Sequence, residues 1–308
     1  MSTGTAATHQ SMGSPRSWLI GFGHGPSQIY FQANIYTTLL IMAAFVVASW
    51  QMAVLVALGC VAQTFAGWVI RTKPADLTFG MQGFSGALVG AATFATLGSQ
   101  WFSYPIALVG GALAAPVTWL VNELFAQRPL KIYGLPSTTA PFCIVATIIH
   151  FGFERWWVES SEMTIDSTTV AFFRSILTNV SEVVLVDNIW AGALILIGLF
   201  IANWKVGLAG LLGSVVGTLC ALALGETLTE TGNGLSGYSG VLTAIALSVT
   251  FLKESVTSWV LALIGTIVTA MVTLWMHDLG VPTYTWPYIL TTWVFLVIAH
   301  YIPSAEHP

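Results

Sequence analysis

The chain has 308 residues and a formal net charge of −4; 56% of its residues are hydrophobic and only 7% are charged, with a mean hydropathy of +0.80. A soluble domain of this length carries about a quarter charged residues. Too little polar surface is left to cover a water-facing fold, so a soluble protein is excluded and no nucleic-acid partner is expected.

In chain order, residues 1–16 read as a disordered polar tail rich in Ser, Thr, Gly, His and Gln, ending at Arg16 with no cleavable signal peptide evident. Nearly charge-free runs follow over residues 35–49, 53–70, 106–121, 189–204, 206–224, 256–276 and 289–302. About 20 apolar residues cross the hydrocarbon layer as a helix, so most of these runs span a bilayer alone or with their flanks. Residues 17–71 hold either two long spans or three short ones. Lys and Arg number nine and fall on too many connections for the positive-inside rule to settle orientation. Cys60, Cys143 and Cys220 lie singly in apolar segments, as buried small hydrophobes do.

Self-comparison gives three duplicated blocks in the same order. Residues 27–34 (SQIYFQAN) pair with 181–188 (SEVVLVDN), and residues 80–88 (GMQGFSGAL) pair with 234–242 (GLSGYSGVL), each at a shift of 154. Residues 134–142 (GLPSTTAPF) pair with 280–288 (GVPTYTWPY) at a shift of 146, and the stretch 127–133 is the natural place for the first half's surplus. The expected division is a first membrane repeat over 17–153, a connection over 154–175, a second repeat over 176–303 and a short tail over 304–308. Two such halves imply a pseudo-twofold relation with the functional site where they meet.

Each block has its own chemistry. Three glycines in seven residues followed by a short apolar stretch mark the entrance of a half-helix, and non-helical backbone at membrane depth is tolerated only where it is buried or lines a wet cavity. Close packing of small residues is the competing account, but an aromatic at the same place in both copies, Phe84 and Tyr238, favours a pore. In the third block two prolines free backbone carbonyls, and between them stand Thr139 and Thr285, whose hydroxyls both donate and accept. The first block sets Gln28 against Glu182, acidic groups at membrane depth usually facing a cavity or a partner; Ile29, Phe31, Val183 and Leu185 supply apolar walls. His24, His150, His277 and His300 have no counterparts in the other half and read as interfacial or structural. Paired aromatics, paired hydroxyls and freed carbonyls suit a small neutral planar solute such as an amide, which moves between several weak sites.

These blocks resemble the urea transporter family over residues 27–303. The resemblance implies an all-α, polytopic fold of two inverted homologous halves, each with about five transmembrane helices and a re-entrant half-helix, with a pore at the pseudo-twofold interface. It implies a homotrimer in a bacterial inner membrane that conducts urea passively, one pore per subunit, without cofactors. The aromatic slots fall on Phe84 and Tyr238, walled by Phe31, Leu88, Leu242, Ile29 and Val183; the central threonines on Thr139 and Thr285; and the vestibule polar groups on Gln28 and Glu182. Tyr238, Val281, Trp286, Tyr288 and Ala33 depart from the family pattern. The alternatives are a pore for a short amide or ammonia and, further off, an ion-coupled transporter. No Ser–His–Asp set, metal-ligand spacing or phosphate loop is present in the sequence, so no enzyme is expected.

Overall fold

The computed structural model describes residues 15–158, 163–280 and 282–306. Residues 1–14 of the expected polar tail, Val281 of the third block and residues 307–308 lie outside the described residues.

Fourteen α-helices form among the described residues, in two series of seven. The first is α1 (Pro15–Gln28), α2 (Ile35–Ala48), α3 (Trp50–Val69), α4 (Pro74–Thr78), α5 (Phe84–Leu97), α6 (Ser103–Ala126) and α7 (Ala140–Gly152). The second is α8 (Thr168–Glu182), α9 (Ile189–Ala202), α10 (Trp204–Leu224), α11 (Leu228–Gly232), α12 (Tyr238–Ile245), α13 (Val256–Asp278) and α14 (Trp286–His300). Residues 17–71 thus hold three helices, of 14, 14 and 20 residues. Helix α8 starts inside the stretch read as a connection, so residues 168–175 are helical. Residues 127–139 join α6 to α7, against 279–285 between α13 and α14, which places most of the first half's surplus there.

The local causes of these elements repeat. Asn34 caps α2 by accepting from the Tyr36 and Thr37 N–H groups at 2.9 and 3.1 Å, and Asn188 caps α9 from Trp190 and Ala191 at the same distances. Pro141 and Pro287 sit in the first turns of α7 and α14, where a missing N–H costs nothing. Left-handed turns also pair up: Phe31 with Leu185, Arg71 with Gly225, Gly80 with Gly234, Gly134 with Gly280 and Thr138 with Tyr284. Only Gly98 lacks a partner among the described residues. Five of the residues sharing this conformation, Phe31, Arg71, Thr138, Leu185 and Tyr284, are large or β-branched, types that pay a steric cost there. The backbone path is therefore duplicated even where residue types are not.

The two series run in opposite directions. One cavity of about 950 Å³ is lined by Ala48 and Met52, which flank the start of α3, but by Asn233 and Leu235 just past α11, the short helix that follows the end of α10. The same cavity takes residues 94–100 from the end of α5, His150 from the end of α7, and Pro282 and Tyr284 from the approach to α14. On the opposite face, Tyr133 beyond α6 touches His300 and Tyr301 at the end of α14, and Thr257 at the start of α13 bonds Ser304. Where a first-half element ends, its second-half equivalent begins, which is the signature of inverted repeats.

Helices α3, α6, α10 and α13 are long and apolar enough to cross a membrane unbroken. Helices α2, α5, α7, α9, α12 and α14 are shorter apolar helices; at 1.5 Å per residue, 14 residues reach only about 21 Å. Within each half the half-length helix is wedged against a full span through glycine. A Cβ on Gly59 of α3 would meet the Gly86 carbonyl oxygen at 2.0 Å, and one on Gly213 of α10 would meet that of Gly240 at 2.6 Å. Gln63 fastens the first wedge, its side-chain carbonyl accepting the Gly86 N–H at 2.6 Å. The second half differs beyond Ile245, where α12 gives way to a π-turn over Ala246–Thr250; α5 continues unbroken to Leu97. The halves join through α2 and α9, where the Thr37 hydroxyl donates to the Gly198 carbonyl at 2.8 Å, and through Tyr30, which donates to the Val180 carbonyl at 2.5 Å.

Candidate functional site

The two third blocks bring α7 and α14 together at their N-terminal ends. Thr139 and Thr285, each the residue before its helix, place their hydroxyl oxygens 2.6 Å apart, and both are almost fully buried. Cys143, one turn into α7, adds a contact of 3.2 Å to the Thr285 hydroxyl. The approach segments are gripped by the opposite helix. Trp293 of α14 donates its indole N–H to the Pro136 carbonyl at 2.9 Å, while Tyr284 packs edge-on against Phe142 of α7 and donates to the Ala146 carbonyl at 3.3 Å. Each chain therefore arrives along the other's helix, so α7 and α14 leave the threonine pair in opposite directions.

The second blocks open α5 and α12. Phe84 and Tyr238 are the first residues of these helices and each is 5% exposed. Leu88 and Leu242, one turn on, are fully buried. Ile29, Val183 and these four residues belong to one apolar cluster, with Phe31 and Leu185 packed against it. The structure thus gathers ten of the sequence-selected residues: the two threonines, and the eight apolar and aromatic side chains around the same core. The Tyr238 hydroxyl does not hang free; it donates to the backbone carbonyl of Tyr284.

The first blocks do not meet each other. Residues 29–34 and 183–188 each form a turn between two helices, closed by Ser27 and Ser181, whose carbonyls accept from Gln32 and Val186 at 3.1 and 3.2 Å. The inversion sends these turns to opposite ends. Glu182 and Leu185 line the 950 Å³ vestibule, with Tyr284, His150 and Trp157 on its wall. Gln28 lies at the other end, its amide donating to the Phe79 carbonyl at 2.7 Å, and Phe31 stacks edge-on with Phe251 at 5.3 Å and tilts against Tyr288 at 6.1 Å. Gln28 and Glu182 are equivalents in sequence and stand at opposite ends in space.

Three contributors were missed from sequence. Tyr284 stood inside a duplicated block, next to Thr285, and that adjacency was the available signal. Phe251 and Trp157 carry no duplication; only the fold reveals them.

Charge is divided between the two faces. Arg71, Lys73, Arg128, Lys131, Lys205 and Lys253 lie where α3 and α6 end and α10 and α13 begin. Arg155 and Arg174 lie on the other face, the latter paired with Asp187 at 2.6 Å. Also on that face, in the link between α10 and α11, burial and then the hydrogen bond with Glu230 push Glu226 up to about 7, and the same bond holds Glu230 below its usual range. No group of three or more His, Cys, Asp or Glu side chains is placed to hold a metal among the described residues.

What this arrangement can do follows from its parts. The vestibule at the Glu182 end leads toward a buried, aromatic-flanked segment that holds a hydroxyl pair. Among the described residues no acid–base pair or fixed cation stands there, so the segment suits weak, sequential hydrogen bonding to an uncharged solute.

The comparisons with known proteins agree with that chemistry. The chain is 24% identical over 305 residues to urea transporter 1 of Rattus norvegicus, covering 93% of this chain and 78% of that protein. To urea transporter 1 of Ovis aries it is 24% identical over 296 residues, covering 91% and 77%. The sequence model described as "Urea transporter" matches residues 21–300. With the duplicated blocks, the inverted helices and a family match over nearly the whole chain, this protein belongs to the urea transporter family.

Proposed function

We propose that the chain is a passive urea channel, with the pore running from the Glu182 vestibule past Tyr238, Leu242, Thr285, Thr139, Leu88 and Phe84 to the Gln28 end. The observation that carries this reading is the threonine pair at 2.6 Å, held between opposed half-helices in an otherwise apolar core. Apolar walls exclude hydrated ions, whose desolvation is costly. A planar solute passes edge-on between aromatic rings while its N–H groups move from one oxygen to the next. Both threonines and both aromatics come from one chain, which supports a complete pore per subunit; the assembly proposed is a homotrimer in a bacterial inner membrane, with the repeats divided near residues 154–175 and no cofactor. The test is uptake of labelled urea into proteoliposomes. Equal uptake with sodium and proton gradients present or collapsed supports the channel, and uptake that requires either gradient contradicts it.

Phe84 supplies a second check. Its truncation, Phe84→Ala, is expected to shift solute selectivity several-fold while the oligomer survives on size-exclusion chromatography; loss of the oligomer with selectivity intact would assign Phe84 to packing.

Orientation follows from the charge division. The face carrying Arg71, Lys73, Arg128, Lys131, Lys205 and Lys253 is proposed to be cytoplasmic, because Lys and Arg in short connections are retained on that side. The Glu182 vestibule then opens outward. An impermeant maleimide applied to intact cells is expected to label Arg155→Cys and to reach Lys131→Cys only after lysis; the reverse pattern overturns the assignment.

A further inference from the structure

We infer that Tyr238 is a specificity-determining residue whose hydroxyl acts in the pore as a hydrogen-bond acceptor only, selecting solutes that carry N–H donors on both edges. The inference rests on the channel reading and deepens it.

A tyrosine hydroxyl has one proton and two lone pairs. In this chain the proton is committed to the Tyr284 carbonyl. That carbonyl precedes the first residue of α14 and so lies outside the helix ladder. What remains on the Tyr238 oxygen is acceptor capacity alone, one lone pair of which faces the Thr283 hydroxyl and the other of which is left for solute. Tyr238 opens α12 within the core cluster, and Tyr284 reaches the inner end of the Glu182 vestibule. The hydroxyl therefore stands at the step between vestibule and constriction, where a solute sheds water and needs a replacement acceptor.

The contact also fixes the site. Tyr284 sits at φ 39°, a strained conformation for a bulky residue, and it is held from two sides: its carbonyl by Tyr238 and its own hydroxyl on the Ala146 carbonyl. Thr285 is the next residue, so the Tyr238 bond orients the segment that carries half of the threonine pair.

The other half of the pore has no such group. Phe84 occupies the position equivalent to Tyr238, and Thr138 is the equivalent of Tyr284, with the same left-handed backbone at φ 49°. The two slots are alike in shape and differ by one hydroxyl. The pore is thus chemically asymmetric within a symmetric frame, with its extra acceptor on the Glu182 side.

Urea and acetamide are nearly equal in size and both planar, but acetamide has a methyl group where urea has its second amide. An acceptor-only rung favours urea over acetamide by about one hydrogen bond, roughly fivefold in flux. The experiment is stopped-flow entry of urea and of acetamide into proteoliposomes bearing wild type, Tyr238→Phe and the reciprocal Phe84→Tyr. Tyr238→Phe is expected to lower the urea-to-acetamide ratio about fivefold, and Phe84→Tyr, whose new hydroxyl meets the Thr138 carbonyl, to raise it. An unchanged ratio in Tyr238→Phe, or an equal fall in both fluxes as a packing defect would give, overturns the inference. If Tyr238→Phe fails to assemble, Phe84→Tyr decides alone, and an unchanged ratio there overturns it. Absence of urea entry through the wild type would instead refute the channel reading itself.

Discussion

Replacing Thr139 and Thr285 together by valine is expected to cut urea flux by about two orders of magnitude while leaving the fold intact. Each hydroxyl offered to a solute in a dry constriction is worth roughly 1–1.5 kcal/mol, or about tenfold. Removing both partners of a buried bond and keeping their shape is nearly neutral for stability, because no orphaned donor remains. The single variants should differ from one another. In Thr139→Val the Thr285 hydroxyl keeps Cys143 at 3.2 Å. In Thr285→Val the Thr139 hydroxyl loses its 2.6 Å partner. Thermal unfolding in detergent should therefore rank Thr285→Val as the less stable single variant, with the double variant closer to wild type. Equal stability of the two single variants would show that Cys143 does not support Thr285, and full urea flux in the double variant would remove the threonines from the conduction path.

The second large effect concerns assembly. Gly59→Val places a Cβ 2.0 Å from the Gly86 carbonyl oxygen, a backbone atom that cannot rotate away. Overpacking a tight contact costs typically 1–3 kcal/mol, and more where backbone must move; about 3 kcal/mol or more is expected here. The shift would also draw α5 off Gln63 and move Phe84 at its head. Gly152→Ala is the control, since an added Cβ there meets nothing within 4 Å and the backbone has no positive φ. The expected result is a lowered thermal midpoint and aggregation for Gly59→Val with Gly152→Ala unchanged. Equal midpoints would mean that α3 and α5 are free to separate.

Much of this fold is legible in the sequence because duplication carries information that single segments lack. One Gly-rich block is compatible with ordinary helix packing; two with an aromatic at the same place mark two helix entrances, and α5 and α12 begin at Phe84 and Tyr238. The threonine pair is legible for the same reason. Helix lengths between residues 17 and 71 are not, because the polar residues from His24 to Asn34 do not say whether the chain turns there, and the break falls at Phe31, whose left-handed backbone has no sequence signature. The relation between Gln28 and Glu182 is hidden too: repeats reveal equivalence, and only the inversion of the helices turns equivalence into separation. The hydroxyl of Tyr238 stood out as a departure, yet its meaning depends on the Tyr284 carbonyl, which an unusual backbone conformation turns toward it. Likewise nine scattered Lys and Arg say nothing about orientation until the path of the helices sorts eight of them onto two faces.

The central claim is tested most directly by stopped-flow light scattering of urea entry into proteoliposomes of the wild-type chain, without ion gradients, over a wide range of urea concentration and with acetamide and ammonia alongside. A channel of this construction gives rapid entry that rises linearly with urea concentration and outpaces acetamide. Entry no faster than in protein-free liposomes, or entry of ammonia with none of urea, would contradict it.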